Sequence, residues 1–83
     1  MSQFDKLLER VKTLDKNLRF DEVRKVLEAY GYVMDNHSRG SHRTFRKPGF
    51  EIVTIPEHEP VKIAYIKVIK AIVEGVDKNE KNS

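Results

Sequence analysis

Eighty-three residues with 39% hydrophobic and 35% charged side chains suit one small domain, because division would leave pieces too small to bury a core. A net charge of +3 leans toward anionic partners, and no apolar run is long enough to span a bilayer. The absence of cysteine excludes disulfides, thiolate catalysis and cysteine-type zinc sites together, and a domain this small without such staples is expected in the cytoplasm rather than outside the cell.

In chain order, Ser2 is placed to cap a first helix carrying Phe4, Leu7, Leu8, Val11 and Leu14 on one stripe, closed by Lys16-Asn17. A second helix is expected over 21–30. Asp21 and Glu22 favour its positive end, Val23, Val26, Leu27 and Tyr30 form its stripe, and Gly31 is its stop. The period then changes. Tyr32-Val33-Met34 reads as a short strand, and Gly40 makes a turn after polar residues 35–38. His42 to Lys47 forms a second strand, Pro48-Gly49 a tight turn, and the β-branched run Phe50 to Ile55 a third strand that Pro56 ends. A last helix runs from Ala64 to about Val73, with Tyr65, Val68, Ile69 and Ile72 on one face and Val61 as an anchor ahead of it.

The expected fold class is therefore α+β: a three-stranded antiparallel meander with helices packed on one face, in the order α-β-β-β-α, plus an extra N-terminal helix. The expected organisation is a single domain over 1–83. The extra helix lies within 1–17, the core spans 20–75, and the polar tail 77–83 is disordered.

The residues with the most chemistry are Arg39-Gly40-Ser41-His42-Arg43-Thr44-Phe45. Histidine exchanges a proton near neutral pH, and arginine holds phosphate. From Arg39 to Lys47 there are four cations and no acid. Strand alternation puts His42, Thr44 and Arg46 on one face and Arg43, Phe45 and Lys47 on the other. Phe45 is the natural core residue, so His42 is expected to face solvent, away from the helices. An imidazole beside guanidinium groups on an open face suits a reaction on a polyanion backbone. His42 is then the candidate general base or acid, with Arg39, Arg43 or Arg46 holding phosphate, Gly40 letting the backbone approach closely and Ser41 counted among the binding residues. One histidine cannot supply both acid and base in one step. His58 is the candidate for the second role, whereas His37 reads as surface.

The run Gly40-Ser41-His42, then Phe45, Pro48-Gly49 and Thr54-Ile55-Pro56-Glu57-His58, resembles the HicA toxins over about residues 20–73. The match continues into Val61-Lys62 and the helix from Ala64, and includes Gly31-Tyr32 upstream. This resemblance implies a fold like a double-stranded-RNA-binding domain and a ribosome-independent endoribonuclease acting on mRNA. It also implies His42 as the catalytic histidine and a HicB-type antitoxin as partner. The segment from Ser2 to Leu14 is additional to the minimal family pattern.

No cofactor is called for. Metal is not expected, since there is no HExxH motif and no histidine pair at i, i+4. Two other functions fit the same residues: a non-catalytic RNA-binding module using the basic face, or an interaction protein whose role is to hold an antitoxin. The basic run also has a plain structural reading, protection of an exposed strand from aggregation.

Overall fold

The structure is a computed structural model that describes residues 2–35 and 40–75. His37, Arg39 and the tail 77–83 lie outside the described residues. The order is α1 (Gln3–Lys12), α2 (Phe20–Ala29), β1 (Val33–Met34), β2 (His42–Arg46), β3 (Val53–Pro56) and α3 (Ile63–Val73). The strands form one antiparallel sheet in the order β1-β2-β3, with the helices against one face, as the periodicities predict.

The first two helices start for local reasons. Ser2 caps α1 by accepting the Asp5 N–H at 3.1 Å, and Asp5 accepts the Ser2 N–H in return. Glu22 accepts the Arg19 N–H at 2.9 Å at the start of α2. α1 ends at Lys12, earlier than its apolar stripe implies, because Leu14 adopts a left-handed φ of 58° and turns the chain.

The core joins all the elements. Leu7 and Val11 of α1, Val23, Val26 and Leu27 of α2, and Ile66 and Ile69 of α3 are buried against Phe45, Val53 and Ile55 of the sheet. Phe45 is fully buried, with its ring centroid 6.2 Å from that of Phe20. Leu18, in the link between α1 and α2, is also fully buried, and its carbonyl accepts the N–H of buried Val61 at 2.8 Å. The anchoring expected of Val61 is thus a fixed contact.

Two expectations need correction. The buried stripe of α3 centres on Ile66 and Ile69, while Val68 is 44% exposed. α3 is apolar nearly all round, so periodicity alone does not choose its inner face. The third strand starts at Val53 and not at Phe50. Lys47, Pro48, Gly49 and Phe50 make a turn closed by the Phe50 N–H to the Lys47 carbonyl at 3.0 Å, with Gly49 at φ 83°. Phe50 is exposed there, and the Lys47 ammonium lies 4.2 Å from its ring centroid and 5.6 Å from that of Tyr32. Burial pushes the Tyr32 phenol above its ordinary range.

Arg10 ties α1 to the link after it and to the first turn of α2. Its Nε donates to Asp15 and its Nη1 to Glu22, both at 2.8 Å. The Arg10 guanidinium, aided by the Asn17 N–H, holds the Asp15 carboxyl below the usual carboxylate range. A depressed carboxyl stabilises the fold above the unfolded pKa of about 3.9, and that contribution is lost as pH falls through the lower folded value. Asp15→Asn is expected to lower the urea midpoint at pH 7 and to flatten its decline between pH 7 and pH 3, both measured by circular dichroism; wild-type behaviour at both pH values would remove Asp15 from this role.

Candidate functional site

His42 opens β2 and pairs in register with Pro56, the last residue of β3. This register puts His42 at the end of the sheet, where the chain leaves toward α3. Two residues past Pro56 comes His58, and Lys62 and Tyr65 lie at the start of α3. His42, Pro56, His58, Lys62 and Tyr65 line one open cavity of about 220 Å³. His42, His58 and Lys62 are exposed, and Tyr65 is half-buried with part of its ring against the core.

The open face expected for His42 is therefore bounded on one side by the first turn of α3. The reason is positional. His42 is the first residue of its strand, and at a sheet's end the connection from β3 to the next helix passes close by. The imidazole is solvent-accessible, as alternation with buried Phe45 requires, yet it shares its space with a helix.

The described cations of the basic run have partners. The Arg43 Nη1 donates to the Gly40 carbonyl at 2.6 Å, and its Nη2 lies 2.7 Å from a Glu57 carboxylate oxygen. The Glu57 N–H donates to the Ser41 carbonyl. Arg43 and Glu57 thereby stitch the segment bearing His42 to the segment bearing His58. Gly40 turns at a φ of 57°, a left-handed conformation that glycine adopts without strain. Arg46 lies on the outer face with its Nε 3.1 Å from Asp35. Lys47 is occupied by the rings of Tyr32 and Phe50. Among the described residues, no carboxylate pairs with Lys62.

Of the residues that stand out in the sequence, the structure gathers His42 and His58 around one cavity, with Gly40, Ser41 and Arg43 beside it. Arg46 stands further along β2. Lys62 and Tyr65 do not stand out in the sequence as members of this site, and Glu57 figures there only within the family-like run Thr54 to His58. One signal for them is available: a hairpin centred on Gly49 puts Pro56 opposite His42, which brings residues 57–65 to the same end of the sheet.

A second, shallower groove of about 510 Å³ lies between α1 and α2, lined by residues that include Phe4, Lys6, Arg10, Glu22 and Lys25. It holds no histidine, and its Arg10 and Glu22 bind each other. Among the described residues, no three histidine, aspartate or glutamate side chains are grouped as metal ligands, and no helix is long and apolar enough to cross a membrane.

No curated protein and no solved structure matches the chain. A family model described as the HicA toxin of bacterial toxin-antitoxin matches residues 20–74, which is more than half of the chain and runs from the first residue of α2 to just past α3. The span contains every residue of the cavity and leaves α1 outside it. On this match the chain belongs to the HicA toxin family of bacterial toxin–antitoxin systems.

Proposed function

We propose that the chain is a ribosome-independent endoribonuclease that cleaves mRNA at the cavity bearing His42 and His58. The observation that carries this reading is that both histidines line the same cavity, together with Lys62. Transphosphorylation needs one group to take the proton of the ribose 2′-hydroxyl and another to protonate the departing 5′-oxygen. It also needs positive charge beside the phosphorane. His42 and His58 divide the first two roles, and Lys62 supplies the third.

The bond balance is simple. The 2′-oxygen bonds to phosphorus, the bond from phosphorus to the 5′-oxygen breaks, and one imidazole takes up a proton while the other releases one. The products are a 2′,3′-cyclic phosphate and a 5′-hydroxyl. No external nucleophile enters this step, so the protein's part is positioning, proton transfer and charge. A HicB-type antitoxin that covers the cavity is the proposed partner, and the cytoplasm, where mRNA is met, is the proposed place of action.

The purified chain should cut an mRNA in a ribosome-free mixture and leave cyclic-phosphate ends. An oligonucleotide with a single 2′-deoxy sugar at the cleaved position should stay intact there while remaining bound. Cutting at the deoxy position at the wild-type rate would overturn the 2′-hydroxyl chemistry, and binding without any cutting of RNA would favour the non-catalytic RNA-binding reading.

A further inference from the structure

We infer that Lys62 and Tyr65 form a nucleotide-binding subsite, with Lys62 holding the phosphate and Tyr65 stacking against an unpaired base, so that the substrate is single-stranded RNA and not duplex. The inference rests on the nuclease reading for the position of the reacting phosphate.

Three observations support it. First, Arg43 is engaged by Glu57 and Gly40, and Arg46 by Asp35, whereas Lys62 has no carboxylate partner among the described residues. A phosphate arriving at His42 therefore meets one ammonium group inside the cavity that need not give up an ion pair to receive it. Second, Tyr65 is half-buried on the cavity wall. Its ring is braced by the core on one side, so stacking a base on the remainder orders little that is not already ordered. Third, Tyr65 lines the same open cavity of about 220 Å³ as His42 and His58, with Pro56 as part of its wall. A base can reach Tyr65 only by leaving its own stack, which a single strand does readily and a duplex resists. In-line attack makes the same demand, because A-form geometry keeps the 2′-oxygen away from the line through phosphorus and the 5′-oxygen.

The test measures binding apart from cleavage. A short fluorescein-labelled RNA, 2′-O-methylated at every position and so without the nucleophile, is titrated by fluorescence anisotropy as a single strand and as a duplex over a range of salt. The single strand should bind more tightly by at least about fivefold, the lower bound of one lost stacking contact. Lys62→Gln should flatten the slope of log affinity against log salt by about 0.7, the value of one phosphate contact on a single strand. Lys62→Arg should keep the slope. Tyr65→Leu should weaken binding about 5- to 150-fold with the slope unchanged. Tyr65→Phe should bind as wild type, and matching circular dichroism for all four variants keeps a folding defect from imitating the result.

Duplex binding as tight as the single strand, or an unchanged salt slope in Lys62→Gln, overturns the inference even when the wild type cleaves RNA. The expected binding pattern in a protein that cuts nothing leaves the subsite standing and overturns the nuclease.

Discussion

Replacing His42 by alanine is expected to lower the rate of RNA cleavage by about 10²–10⁴-fold, the usual worth of a positioned proton-transfer group. The same change should leave the fold intact. His42 is exposed, its side chain contributes nothing to the core, and its backbone pairing with Pro56 does not depend on the imidazole. The anisotropy assay with 2′-O-methylated RNA should give nearly wild-type affinity, since the proposed phosphate and base contacts lie on Lys62 and Tyr65. In cells, expression of the wild type without the proposed HicB-type antitoxin should arrest growth and fragment mRNA, whereas the His42→Ala form should do neither. Cleavage by the purified variant at close to the wild-type rate would remove His42 from the mechanism. A large fall in affinity with normal turnover of bound RNA would make it a binding residue.

Phe45→Ala is expected to unfold the protein. Phe45 is fully buried in the middle strand, against the Phe20 ring and facing the helices. Truncating a core aromatic costs about 3–5 kcal/mol through lost transfer energy and the cavity left behind. A domain of this length buries only about 60–65% of its unfolded surface, so its stability is about 5 kcal/mol or a little more. The loss is therefore comparable to the whole. Urea titration followed by circular dichroism should find no cooperative transition at 25 °C, or one shifted almost to zero denaturant. A wild-type midpoint would mean that the interior near Phe20 closes over the gap. Phe45→Leu, which retains most of the volume, should refold, and it separates loss of packing from loss of the ring.

The two substitutions lie three residues apart on one strand and act through different physics, which explains what sequence alone makes legible. Alternation along β2 assigns Phe45 inward and His42 outward, and the structure agrees. The helix stripes of α1 and α2, the Pro48-Gly49 turn and the Ser2 cap are equally local, since each depends on residues within a turn or two. Val68 and Phe50 are not legible in the same way. A helix apolar nearly all round has no preferred inner face until its neighbours are placed, and a hydrophobic residue after Pro-Gly can extend a strand or complete the turn. The cavity depends on longer range still. Bringing Lys62 and Tyr65 to His42 takes the register of β2 on β3 and the path of the loop after it. Arg43 illustrates the limit best. A run of arginines without nearby acids looks free to bind phosphate, but Glu57, fourteen positions on, meets it across the sheet.

The brevity of the outer strands has its own consequence. β1 is two residues long and β3 four, ending in a proline that offers no N–H. Among the described residues little strand backbone runs along either margin, so another chain has scant means of lengthening this sheet by lining up beside it. An inhibitory protein would instead come down over the surface, reading side chains and plugging the hollow, and its grip would then rise or fall with the very groups proposed to do the cutting.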